Sequence, residues 1–314
     1  MEGGSMIASS RTREARPRAD RTWTVTAADG APLAVDLYLP AGPAVARALV
    51  APAMGVKKRF YAPFAADMAA HGVATLVADY RGIGESLRGP VSRSRARLSE
   101  WGELDLPAVT RALAALDIPL LGDAPLSFVG HSVGGQLFGL MPENPFRSAL
   151  FVGSQSGYWR HYPGWRRAGI ATLWHVGVPA LATTLGYLPM RALGQGEDLP
   201  AGVAREWARW GRDPRYVGVR VAELERSGYA TWSGQLRALS ISDDGYAPLE
   251  AVEALVRHYS AAWVDVSIVE PRALGVKRVG HFGWFRPRFR ETAWADARTW
   301  LLGAAGVVPE GVAA

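Results

Sequence analysis

The chain has 314 residues, 49% hydrophobic and 20% charged, which is enough apolar material for one large domain or one domain with a sizeable insertion, and is not the composition of a disordered chain. It holds no cysteine, which excludes disulfides, thiolate metal sites and a cysteine nucleophile. The formal net charge of +6 comes almost wholly from arginine, with lysine only at Lys57, Lys58 and Lys277; spread along the whole chain, that excess does not make a nucleic-acid face.

Residues 1–20 show no periodicity, carry Arg11, Arg13, Arg16 and Arg18, and are expected to form a disordered basic leader. No apolar stretch precedes Trp23, so no secretory signal is visible and the expected location is cytoplasmic. Trp23 to Thr26, a turn at Asp29-Gly30, and Leu33 to Leu39 alternate in polarity and read as a hairpin. Ala48 to Pro52 and Val73 to Ala78 are short all-apolar runs, the pattern of strands buried on both faces of a parallel sheet, with a helix from Phe60 to Ala70 between them. The second run leads into Asp79-Tyr80-Arg81-Gly82-Ile83-Gly84-Glu85-Ser86. Arg93, Arg95 and Arg97 follow in a loop. Pro107 then suits the first turn of a helix whose apolar stripe is Leu106, Val109, Leu113 and Leu116.

Leu126 to Gly135 is the segment around which the rest is organised. An apolar, β-leaning run ends at Gly130, Ser132 follows two residues later, and Gly134 and Gly135 open a helix that Pro142 stops. This is the G-x-S-x-G pattern between a strand and a helix: the serine sits at the tip of a tight, strained turn, and a side chain at residue 130 or 134 would collide with the neighbouring strand or helix. Ser132 is therefore the candidate nucleophile. Gly153-Ser154-Gln155-Ser156-Gly157 looks similar but places Gln at the nucleophile position.

Ala149 to Val152 is the next buried strand. After residues 154–233 come a strand at Ala238 to Ile241, a helix at Leu249 to Tyr259, a strand at Val264 to Val269, and a closing helix near Phe289 to Leu302, before a tail at 305–314. Strands alternating with helices predict an α/β fold with a mostly parallel sheet and an antiparallel start.

The elbow, the Asp79–Ser86 segment and Val279-Gly280-His281-Phe282-Gly283 together resemble the α/β-hydrolase superfamily, and more narrowly its uncharacterised bacterial predicted serine α/β-hydrolases with a helical cap. The likeness runs from about Trp23 to Leu302. It implies a core of residues 21–153 and 234–304 and a helical cap insertion at 154–233.

A serine hydroxyl needs a base, and the base needs an orienting acid. The superfamily order is Ser, then Asp or Glu, then His. Asp243 and Asp244 follow the strand ending at Ile241. Asp244 is preferred because Asp244-Gly245-Tyr246-Ala247-Pro248 resembles the superfamily's acid loop, which leaves Asp243 as a candidate cap for the next helix. Among six histidines, His281 follows the last strand, lies beside Gly280 and Gly283, and is C-terminal to the acid, so it is the expected base. His131, inside the elbow, is read as packing beside the nucleophile; His71 ends a helix, His161 and His175 lie in the insertion, and His258 lies on a helix face.

The expected oxyanion donors are the backbone N–H of Val133 and, by resemblance, that of Met54 in Pro52-Ala53-Met54-Gly55-Val56, with Gly55 the alternative. The superfamily's common His-Gly is replaced here by Pro52-Ala53. No metal-ligand spacing and no phosphate-cradling loop occurs, so neither a metal nor a cofactor is expected.

The insertion holds six of the twelve tryptophans and, from Ala168 to Met190, no charged residue. Gly177, Pro179, Gly186 and Pro189 interrupt that run, which argues against a membrane span. Two pictures stand: cap helices burying the stripe against the sheet, or a cap lining an apolar acyl tunnel. An amphipathic helix is expected over Glu206 to Arg209, after a turn at Pro200-Ala201-Gly202 and ending at Asp213-Pro214.

The expected activity is that of a serine hydrolase acting on a carboxylic ester or thioester of a small-molecule acyl substrate. The alternatives are an acyltransferase with the same triad and a non-catalytic ligand-binding protein on a hydrolase scaffold.

Overall fold

The computed structural model describes residues 16–304 and 306. The leader expected at residues 1–20 falls mostly outside them, and so does most of the tail from residue 305. Asp20, which composition alone assigns to the leader, bonds to the next strand pair: its N–H donates to the Leu37 carbonyl at 2.9 Å and its carboxylate accepts from Leu39 N–H at 2.8 Å.

One sheet of eight strands organises the molecule. In chain order its strands are β1 (Arg21–Thr26), β2 (Pro32–Tyr38), β3 (Ala46–Ala51), β4 (Val73–Ala78), β5 (Leu126–His131), β6 (Ser148–Val152), β9 (Gln235–Ile241) and β10 (Trp263–Val269). A separate two-stranded pair, β7 (Tyr187–Leu188) and β8 (Leu199–Pro200), lies in the insertion. The spatial order is β1-β2-β4-β3-β5-β6-β9-β10. β2 pairs antiparallel with both β1 and β4, and every later pairing is parallel, as the sequence predicts.

The all-apolar strands are buried on both faces because helices cover both sides. Alternate residues divide between two cores. Leu49, Phe128 and Phe151 face one layer with Trp101, Leu137 and Phe138, while Val50, Val129 and Val152 face the other with Phe64, Trp284 and Trp294. β5 lies between β3 and β6 in the middle of the sheet, so the residue that follows it emerges at the centre of the carboxyl rim, where parallel sheets carry their chemistry.

Two expected elements are differently built. The closing helix is regular only over Ala295–Ala304, because Arg290–Trp294 forms a wider, π-type turn. Pro200-Ala201-Gly202 is not a turn before a short helix. Ala201 begins a helix that runs to Arg212, with Pro200 as its N-cap, where a missing N–H costs nothing.

Residues 153–234 leave the sheet after β6 and return at β9. The uncharged run takes in the end of one helix, Gly164–Thr172, a π-type turn, and a second helix, Val178–Thr184. Among the described residues, no helix is long and apolar enough to cross a membrane. The segment's stripe is mainly structural: Trp174, Trp210 and Trp232 are buried, whereas Trp165 stands 82% exposed. The segment is held to the sheet side by the Arg220–Glu103 pair at 2.6 Å, by Ser99 N–H donating to Glu206 at 2.8 Å, and by Lys57–Glu197 at 2.9 Å.

Candidate active site

The elbow is as tight as its glycines demand. Ser132 has φ 52° and ψ −115°, a left-handed-side conformation that costs a non-glycine residue about 1–3 kcal/mol and persists only where its surroundings impose it. They do so here. Its N–H donates to the Val152 carbonyl at 3.0 Å, a Cβ at residue 130 would lie 2.5 Å from the Gly135 nitrogen, and one at residue 134 would strike the Ala51 carbonyl oxygen. The Ser132 side chain is nearly buried at the sheet rim.

Asp244 and His281 meet at the same rim. The Asp244 N–H donates to the Ile241 carbonyl at 2.9 Å, which turns the chain sharply at the end of β9. Its Oδ1 accepts from the N–H groups of Tyr246 at 2.8 Å and Ala247 at 3.3 Å, and its Oδ2 lies 2.6 Å from Nδ1 of His281. Both side chains are buried. Asp243 does not cap the following helix, whose N-cap is Pro248. It accepts from Val279 N–H at 3.0 Å and Gly280 N–H at 2.9 Å, and so fixes the loop that delivers His281.

The imidazole stands over the residue that follows β6. A Cβ at residue 153, directly after the Val152 carbonyl that binds Ser132, would lie 3.3 Å from His281 Nδ1 and 3.1 Å from Asp244 Oδ2. The rings of His131 and His281 are 5.1 Å apart between centroids. Among the described residues, no hydrogen bond within 3.5 Å joins the Ser132 hydroxyl to His281, as is common before substrate binds.

His131 is fully buried and bonded at both nitrogens, Nδ1 at 2.7 Å from the Tyr61 hydroxyl and Nε2 at 3.0 Å from the His281 carbonyl. Burial, and then the neighbouring His281, hold its pKa well below the usual histidine range. Tyr61 also accepts from Ala53 N–H at 2.8 Å, so Ala53 is committed. The next N–H groups, those of Met54 and Gly55, have no backbone acceptor among the described residues. Gly55 has φ 65°, and its carbonyl accepts from Glu197 N–H at 2.7 Å, which ties this loop to the insertion.

Arg81, in the segment after β4, is structural. Its Nε lies 2.6 Å from Asp105 and its Nη1 2.5 Å from Asp29, which clamps the β1–β2 turn to the next helical region. Among the described residues, no group of three or more His, Cys, Asp or Glu is placed to hold a metal ion. The roles of Tyr61 and Asp243 have no signature in the sequence, because each acts on a partner far along the chain.

No protein-family model matches the chain, and no curated protein matches it. Solved structures do. The α/β hydrolase GrgF from Penicillium sp. sh18 aligns with a TM-score of 0.61 at 15% identity, covering 91% of this chain and 99% of that one. Est1E from Butyrivibrio proteoclasticus aligns at 0.55 and 15% identity over 91% of this chain and 99% of its own. The esterase domain of a Rhodothermus marinus protein aligns at 0.54 and 22% identity over 89% and 98%. At these identities the likeness is one of architecture: the chain has the α/β-hydrolase fold.

Proposed function

We propose that this protein is a serine hydrolase that cleaves a carboxylic ester or thioester of a small acyl compound through an acyl-enzyme. The observation that carries the reading is the Asp244–His281 pair at 2.6 Å, at the rim where Ser132 sits in a strained turn. Asp244 accepts a hydrogen bond from the N–H at His281 Nδ1, which leaves Nε2 free to act as the base toward Ser132. His281 takes the Ser132 proton as the hydroxyl oxygen attacks the acyl carbon. The N–H groups of Val133 and Met54 receive the oxyanion. His281 then protonates the departing alcohol or thiol, and water repeats the sequence to release the acid and free serine.

Residues 21–153 and 234–304 serve as the catalytic core, and residues 154–233 serve as a cap over it. A series of p-nitrophenyl esters of increasing acyl length, run on the wild type and on Ser132→Ala, tests the reading. The expected outcome is turnover that disappears in the variant, with a fluorophosphonate probe labelling the wild type alone. Undiminished turnover in Ser132→Ala overturns it.

A further inference from the structure

A cavity of about 420 Å³ opens beside His281, between the acid loop and the first helix of the insertion. Its walls are aromatic: Trp165, Tyr246 and Phe282 border it, and the Tyr246 and His281 ring centroids are 5.1 Å apart. Trp165 is 82% exposed and Tyr246 46%, an unusual outlay of large apolar surface at one mouth. Two guanidinium groups, Arg166 and Arg278, share the cavity. Arg166 lies over Gly245, where even a Cβ would overlap its Nη1, and leans toward the Trp165 ring at 5.8 Å.

Among the described residues, neither of these arginines is held in an ion pair. Arg81, Arg191, Arg209, Arg215, Arg220 and Arg237 each meet a carboxylate within 4.0 Å, but among the described residues Arg166 and Arg278 meet none. Two carboxylates do line the same cavity, and neither is available. Both oxygens of Asp243 accept from Val279 and Gly280, and those of Asp244 from Tyr246, Ala247 and His281. The cavity therefore presents flat apolar walls and, among the described residues, two guanidinium groups without a hydrogen-bond partner, next to the imidazole, its two arginines and two aspartates balancing in formal charge.

We infer that the substrate is an anion, an acyl compound whose flat or apolar arm ends in a carboxylate or phosphate held by Arg166 and Arg278. The inference rests on the serine-hydrolase reading for its chemistry but not for its binding. A guanidinium fork matches either oxyanion in two-point geometry, and the aromatic walls take the arm that connects it to the scissile bond.

The test compares matched pairs on the whole protein. For the carboxylate source the pair is 4-nitrophenyl hydrogen glutarate against its methyl ester; for the phosphate source it is acetyl-coenzyme A against S-acetyl-N-acetylcysteamine. In at least one pair kcat/KM should favour the anion by about tenfold or more, the worth of one hydrogen-bonded charge, with the advantage shrinking as salt rises. In the double variant Arg166→Gln, Arg278→Gln, the anion-to-neutral ratio should fall by a similar factor; both residues are exposed, so folding should survive and circular dichroism checks it. A ratio that favours the neutral member in both pairs, or that survives in the double variant, overturns the inference and leaves the hydrolase reading intact. If no ester is cleaved, calorimetric titration with benzoate and with phenyl phosphate decides the binding alone. Binding to the wild type that the double variant loses supports the anion site while the hydrolase reading falls, and no binding overturns the site as well.

Discussion

The hydroxyl of Tyr61 lies 2.7 Å from Nδ1 of His131, and this one contact fixes the direction of a chain of hydrogen bonds through the site. The His281 carbonyl, 3.0 Å from Nε2, can only accept, so Nε2 carries the ring proton and Nδ1 is bare. Tyr61 must then donate to Nδ1, and its oxygen accepts from Ala53 N–H at 2.8 Å. The loop bearing Met54 and the residue bearing the proposed base are thus held by a single neutral histidine, and burial keeps it neutral.

Tyr61→Phe removes one oxygen and orphans two buried groups, the Ala53 N–H and His131 Nδ1. At about 1–3 kcal/mol for each, the variant should lose about 2–6 kcal/mol in urea unfolding. Because Ala53 adjoins Met54, turnover of a p-nitrophenyl ester should fall in kcat with KM little changed. An unchanged kcat in a folded variant would contradict a link between this network and the oxyanion loop.

Adjacent aspartates divide the labour at the end of β9, and substitution should separate them. Asp244→Asn presents an amide to His281 and favours the wrong tautomer; kcat should drop by about four orders of magnitude, as it does when an orienting carboxylate is replaced in other serine triads. Asp243→Asn keeps one acceptor for the Val279 and Gly280 N–H groups, so the His281 loop loosens and the loss should be far smaller. Steady-state rates of the two variants on one ester decide the assignment, and equal losses would remove Asp244 from its role.

The strain at Ser132 sets stability against activity. Glycine adopts φ 52° freely, so Ser132→Gly should relieve about 1–3 kcal/mol and give back about 0.5–1 kcal/mol through the greater freedom of its unfolded chain. The variant should be inactive yet unfold at a higher urea concentration than the wild type. A lower midpoint would show that the turn costs nothing to hold.

Much of this architecture is written locally. Short all-apolar runs separated by helices predict the parallel sheet, and two glycines around Ser132 predict its turn, because each depends on neighbours within a few residues. Asp244 is preferred over Asp243 on a local signal, the likeness of Asp244-Gly245-Tyr246-Ala247-Pro248 to the superfamily's acid loop. What Asp243 does instead is settled by where the loop at Val279 and Gly280 arrives, and no spacing encodes that. Tyr61 is invisible for the same reason, since its partner stands seventy positions away across the sheet. The helix Ala201–Arg212 is misjudged from Pro200-Ala201-Gly202 because turn-forming residues also start helices; here close contact of Gly202 with the Ala96 carbonyl makes the small residue a packing requirement.

Arg81 joins Asp105 and Asp29 across two loops in a largely buried setting. Arg81→Met keeps the apolar stem but leaves Asp105 buried without its cation, at a cost of about 3–5 kcal/mol. Urea unfolding should show that loss, and restoring neutrality with Asp105→Asn in the same chain should recover part of it. A double variant no more stable than Arg81→Met would mean that the pair is not coupled.

Asp79 gives the fold a pH dependence of unusual sign. Its carboxylate accepts from Lys58 N–H at 2.7 Å and Glu85 N–H at 2.9 Å, yet burial dominates and raises its pKa from 3.8 to about 6. Between those values the folded chain keeps a proton that the unfolded chain has released, so stability falls as pH rises through the window. Two pK units correspond to about 3 kcal/mol. Asp79→Asn cannot ionise, and it gives up one of the two N–H bonds as an offset that does not vary with pH. From pH 3.5 to 7.5 the unfolding free energy of the variant should therefore gain on that of the wild type by about 3 kcal/mol, most of it between pH 4 and 6. Parallel curves across that range would show that Asp79 is ionised in the folded protein throughout, and that its two N–H donors outweigh its burial.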